Sequence, residues 1–261
     1  MQLNLIKNSA IVFSFFIIFS IPISFADSED LLITFSDKMR FIDFDGKWTF
    51  FSEWKESSLT SIGNMMKIRS AHYGDFVYVF VDVLFDSTLD KKLDKATVCF
   101  IPRNLDSSLQ NNESHCFVGF LDSSKGHTLK NNSTNSSNDF QQIPNHSDLI
   151  IVGGTSDEND RYLKSPHPSY EFKIPTDVIQ RYSHYGFYVE AYDESTNKKI
   201  TWPENINNST IPLSIFWGDM ISPDKSLPEF SFPSVILVLI LFTMIIMSRK
   251  LNYGRLRINI N

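Results

Sequence analysis

The sequence is poor in the short motifs that mark catalytic chemistry. No G-x-S-x-G, Walker loop or G-x-G-x-x-G occurs in its 261 residues, so neither an activated serine nor a glycine-rich phosphate cradle is signalled. The six histidines are scattered, with no H-E-x-x-H or H-x-H pair, and the usual spacing of a catalytic zinc is missing with them. Absence of C-x-x-C-H excludes covalently attached haem. Nothing here argues for an enzyme. Basic charge is scarce as well. Lys7 and the cations Arg249, Lys250, Arg255 and Arg257 belong to the two ends; between them 19 Lys+Arg face 30 Asp+Glu, a net charge near −11. Such a surface repels phosphate backbones, which argues against a nucleic-acid partner.

What the sequence does have is an apolar run at each end. Lys7 followed by Ile11 to Ile23 and the small residues Ser24 and Ala26 reads as a secretory signal, residues 1–26, cut after Ala26. An uncut anchor is the alternative, but the run falls short of the roughly 20 residues of a spanning helix and Pro22 interrupts it. The second run, Phe232 to Ser248, has no charged residue and precedes a basic tail, residues 249–261, that has no acidic one. The positive-inside rule leaves that tail in the cytoplasm and residues 27–226 outside. The expectation is a single-pass cell-membrane protein with an extracellular domain. Between them, in residues 227–231, Pro228-Glu229-Phe230 stands before the apolar run. A P-E-F tripeptide, hydrophobic helix and basic cluster resembles the C-terminal sorting signals of archaeal surface proteins. That resemblance implies cleavage by a membrane-embedded transpeptidase. An ordinary stop-transfer anchor is the other reading.

The about 200 residues between the ends suffice for one domain. Asp75 to Phe85 alternates aromatics with valines, apolar on both faces, as a central strand covered on both sides does. Further strands are expected at Met65–Ser70, Ala96–Ile101, His115–Phe120, Asp148–Val152, Tyr170–Ile174, Gly186–Tyr192, Lys199–Trp202 and Ile211–Phe216. Gly153-Gly154, Pro166-His167-Pro168 and Asp193 to Asn197 read as turns, and Pro175 to Tyr182 as one short helix capped by Thr176. The fold class is all-β: a two-sheet sandwich, jelly-roll or immunoglobulin-like, with one C-terminal transmembrane helix. Cys99 and Cys116, both exported, are expected to form one disulfide, across two neighbouring strands or between sheets. The polar stretch from Asn104 to Ser147 should be loop with weak strands. Glycosylation sequons stand at Asn112, Asn131, Asn132, Asn135, Asn145, Asn207 and Asn208. Gly153 to Asp160 has oxygen ligands enough for calcium but lacks the D-x-D-x-D-G spacing, so it reads first as a solvated turn, with a calcium loop as the alternative.

Asp45-Gly46-Lys47-Trp48 with Glu53-Trp54, the stretch Arg69 to Val79, Asp94 to Phe100 and Tyr185 to Ala191 carry a further resemblance. Over Phe44 to Pro203 the pattern is similar to family 9 carbohydrate-binding modules and the related dopamine-monooxygenase N-terminal (DOMON-like) sandwich. Two functions are implied. One is glycan binding on flat aromatic faces, for which Trp202, Trp54 and Tyr73 are the candidates, with Trp48 and Trp217 as further tryptophans. The other is non-covalent haem binding, with Met65, Met66, Lys67 or His72 as axial ligands. Core packing is the competing role for each. A structural or adhesive envelope glycoprotein that binds no small ligand is the competing function.

Overall fold

The computed structural model describes residues 30–103, 113–131, 139–204 and 210–223. Signal, tripeptide Pro228-Glu229-Phe230, transmembrane run and tail lie outside them, as do Asn112, Asn132, Asn135, Asn207 and Asn208. Among the described residues no helix is long and apolar enough to cross a membrane.

Strand dominates. In chain order the strands are β1 (Leu31–Leu32), β2 (Thr34–Phe35), β3 (Ser58–Ile62), β4 (Met66–Tyr73), β5 (Phe76–Val83), β6 (Lys95–Pro102) and β7 (Ser114–Phe120). They continue with β8 (His127–Asn131), β9 (Gln141–Ile143), β10 (Ile150–Thr155), β11 (Pro168–Pro175), β12 (His184–Asp193), β13 (Lys198–Trp202) and β14 (Gly218–Ile221). One sheet runs β1-β14-β12-β6-β7-β8-β9, with β13 sharing an edge of β12; the other runs β10-β11-β5-β4-β2, with β3 also on β4. The protein is a two-sheet β structure, and the main core lies between the sheets. Val77, Val79, Val81 and Val83 of β5 meet Val98 and Phe100 of β6 and Phe187 and Val189 of β12 in one buried cluster.

Both outer faces are covered too. On the β5 sheet, Tyr78 and Phe80 point away from the valines and pack under Met39, Trp48 and Trp54. On the other sheet Cys99, Cys116 and Tyr188 pack against Trp217, with Ile101, Leu129, Phe140 and Ile211 half-buried around them. This accounts for β5: in a period-2 strand each face is apolar only if something covers it.

Several expectations need correction. Gly153 and Gly154 lie inside β10, not in a turn. A Cβ on Gly153 would sit 2.3 Å from Phe120 O, and one on Gly154 2.8 Å from Gly46 O, so these glycines mark close backbone approach. Ile211 to Phe216 is no strand: it ends in a 3-10 turn, Ser214–Phe216, and the pairing falls to β14. The helix, α1 (Thr176–Ile179), is four residues long and follows Pro175 without a side-chain cap. Thr176 Oγ1 donates instead to Asp75 O (3.2 Å).

Candidate functional site

The resemblance motif is a lock. Gly46 has φ +85°, and a Cβ there would meet Gly154 N at 2.5 Å, so only glycine lets the two chains touch. Gly46 N donates to Glu171 Oε2 (2.8 Å) and Trp54 Nε1 to Glu171 Oε1 (3.0 Å). Ser169 Oγ donates to Gly46 O (2.8 Å). Glu53 accepts from the amides of Asp43 (2.9 Å) and Thr49 (2.8 Å), closing the loop on itself. Arg69 spans the layer beneath: Nη1 donates to Trp54 O (3.0 Å) and Ser57 O (2.9 Å), Nε to Tyr162 OH (2.7 Å). Burial drives the Glu171 carboxyl well above its ordinary range; its two donors only partly offset that.

All four tryptophans are interior. Trp54 is 0% and Trp202 6% exposed, so neither offers a ring face to a sugar, and their assignment as binding platforms is corrected. Trp202 packs on Phe187 (centroids 5.7 Å) and Trp217 stacks on Tyr188 (6.2 Å). Tyr73 is half-buried against the Trp48 and Trp54 cluster, paired with Phe76 across the β4–β5 turn. The haem candidates do not converge. Met66 is in the main core, Lys67 points to the opposite face and donates to Gly63 O (3.0 Å), and Met65 lies at the exposed turn. His72 is six residues along β4 from Met66, about 20 Å at strand rise. Cys99 and Cys116 are bonded across directly paired positions of β6 and β7, which settles the staple as cross-strand. Asn131 is buried in β8, out of reach of glycosylation in the folded chain. Asn145 is exposed, although its Nδ2 donates to Gly126 O (2.9 Å).

The acidic residues of Gly153 to Asp160 part company. Asp157 turns to Lys47 Nζ (2.6 Å), while Asp160 goes inward. Sequence reading missed where Asp160 ends up. It joins Asp82 of β5 and His167, just before β11, in a fully buried trio whose ligand atoms lie within 4.8 Å of one another. His167 Nε2 is 2.6 Å from Asp82 Oδ1, and His167 Nδ1 is 2.7 Å from both Ser156 Oγ and Ser165 O. Ser156, His167 and Asp82 thus form a serine–histidine–aspartate row. Ser156 Oγ, however, accepts from the His167 amide (3.0 Å) and is buried, so no hydroxyl is presented to a substrate.

A second trio, Asp86, Asp94 and Asp193, ties turns together at one end of the sandwich. Asp94 accepts from the amides of Asp90 (2.7 Å) and Glu194 (3.0 Å), Asp193 from Ser195 (2.9 Å) and Asp86 from Thr88 (2.9 Å). Burial first, then the charges of Asp94 and Asp193, push Asp86 up to about 6, against the Thr88 amide. Either trio offers oxygen ligands to a cation; only the first adds a nitrogen.

An open groove of about 560 Å³ is lined by Asp75, Phe76, Asp148, Asp177, Gln180 and Arg181. It forms where the β4–β5 turn meets α1. Arg181 Nη2 reaches Asp75 Oδ1 and Gly74 O (2.6 Å each), and Lys173 Nζ sits 4.0 Å over the Phe76 ring. No local pattern announces this site, because its two walls are a hundred residues apart in the chain. No protein-family model matches this sequence, and no curated protein matches it significantly.

Proposed function

We propose that the chain is a non-catalytic envelope protein, tethered by its C-terminal apolar run, whose β domain serves as a structural or adhesive unit on the cell surface. One observation carries this reading: all four tryptophans are buried, sealing the outer faces and the core where a stacking platform would need them open. The acidic charge outside the tail and the apolar ends support export and tethering.

A second reading, carbohydrate binding, is favoured by the groove at Phe76. A half-exposed ring beside Asp75, Asp148, Asp177, Gln180 and Arg181 has the aromatic and hydrogen-bonding make-up of a sugar site. Under it the ligand would lie on Phe76 and Tyr73, not on Trp54 or Trp202.

A glycan array with the full chain separates the two. Binding that Phe76→Ala abolishes would replace the structural reading, and no binding would keep it. Tethering is tested by cell fractionation: chain truncated before Pro228 should leave the membrane. The mass of membrane-extracted protein tests sorting, since loss of the tail peptide in wild type but not in the Pro228, Glu229, Phe230 triple alanine would mean transpeptidase processing.

A further inference from the structure

We propose that Asp82, Asp160 and His167 bind a divalent cation of the zinc class, beneath the 156–167 loop. Two acceptors point at each other here. Three elements build the place: Asp82 stands on the outer face of β5, Asp160 comes from the loop, and His167 leads into β11. His167 Nδ1 is 2.7 Å from Ser165 O, which can only accept, so Nδ1 carries the hydrogen. Nε2 is then the lone-pair nitrogen, 2.6 Å from a carboxylate oxygen that is also an acceptor. Something positive must lie between them, a proton or a metal ion. A ring nitrogen fixed by a backbone carbonyl while its partner faces carboxylates is the arrangement that orients metal-ligating histidines.

The orphaned oxygens distinguish this trio from a simple imidazolium–carboxylate pair. Asp82 Oδ2 and Asp160 Oδ2 are both buried without any hydrogen-bond partner, and both residues are 0% exposed. One proton on Nε2 satisfies Asp82 Oδ1 and neither of these. Neighbouring ammonium groups are spent elsewhere: Lys67, opposite Asp82 in the β4–β5 register, donates to Gly63 O (3.0 Å), and Lys164 donates to the Asp160 backbone carbonyl. Asp160 Oδ1 is occupied by the amides of Tyr162 (2.7 Å) and Leu163 (2.9 Å), which aligns the carboxylate without using Oδ2.

The donor set decides the class of ion. One imidazole and two carboxylates, three side-chain ligands in a fully buried site, suit zinc and its neighbours, whereas calcium takes six to eight oxygens. Seating zinc at about 2.0–2.1 Å from Nε2 and from a carboxylate oxygen would open the N···O separation to about 3.3 Å. Complete burial means that the ion enters during folding or by opening of the loop. It would staple the loop to β5, and complete burial keeps any substrate from the ion, so the role is structural.

The full chain in mild detergent, stripped with EDTA and incubated with zinc chloride, should retain one zinc per chain after gel filtration, with a melting temperature several degrees higher. Asp160→Asn keeps an acceptor for the two amides and removes a buried charge, so it should fold at least as well as the stripped wild type. It should lose zinc affinity at least tenfold. His167→Gln should lose it as well, and should it fail to fold, Asp160→Asn reads the site alone. Retention of no zinc by folded wild type would overturn the proposal in favour of a shared proton. Equal retention by folded Asp160→Asn would overturn it in favour of another site, and uptake of calcium without zinc would refute the assigned class.

Discussion

The indole of Trp54 donates to the carboxyl group of Glu171 at 3.0 Å, joining positions 117 residues apart, and both side chains are fully buried. Glu171 also takes the amide of Gly46, so one side chain fastens the covering loop to the middle of the β5 sheet.

Replacing Glu171 by Ala removes both acceptors and strands two buried donors. The expected loss is about 2–4 kcal/mol. Urea unfolding of the full chain reads it directly. A loss below about 0.5 kcal/mol would show that the loop is held by packing alone.

Gly46→Ala should be comparably harmful for a different reason. The new methyl would press on the Gly154 backbone, which cannot yield as a side-chain tip can, and the residue would keep its positive φ. Unchanged melting would mean that the loop re-routes freely.

Reducing Cys99–Cys116, or replacing both residues by Ala, should cost about 2–4 kcal/mol for this 17-residue separation. The pair is buried beneath Tyr188 and Trp217, so the folded chain should resist reductant that the unfolded chain does not. Rapid reduction in native buffer would contradict that cover.

His115 supplies an acid sensitivity. Burial, with Lys130 adding to it and Glu113 opposing, lowers its imidazole to about 4. The unfolded chain, with a value near 6.5, binds the extra proton first, so stability is full above about pH 6.5 and drains as pH falls toward 4. The contribution is up to about 3 kcal/mol. His115→Asn should flatten the difference in unfolding free energy between pH 7 and pH 4; equal losses in variant and wild type would assign the effect elsewhere.

Asp86 acts with the opposite sign. Its folded value near 6 lies above the unfolded value near 3.8, so its favourable contribution is present below about pH 4 and is lost as pH rises through 6. Asp86→Asn keeps the acceptor for Thr88 and should stabilise the chain by about 1–3 kcal/mol at pH 7.5, with the gain vanishing near pH 4. Destabilisation at pH 7.5 would mean that the charge is compensated by a bound cation.

Several elements were legible in the residues themselves. Alternation in Asp75 to Phe85 announced a doubly covered strand, and β6, β11 and β12 formed around the predicted cores at Val98, Phe172 and Val189. Two cysteines on neighbouring apolar runs announced the bond. These signals are local, since side-chain period and turn chemistry act within a few residues. Ile211 to Phe216 failed as a strand: Ile211 packs beside Trp217 on the outer face of the β12 sheet, while Ile215 and Phe216 turn outward and are exposed.

By itself the sequence determined the strand-rich class, the acidic domain between two apolar ends, and the pairing partner of each cysteine. Tertiary structure alone decided which face each tryptophan would seal, that Gly153 and Gly154 admit other backbones, and that Asp82, Asp160 and His167 converge. The reason is physical. A strand's own alternation states only that a face is to be covered, whereas the segment that covers it is chosen by packing between residues 80 to 125 positions apart, as His167 is from Asp82 and Gly46 from Glu171.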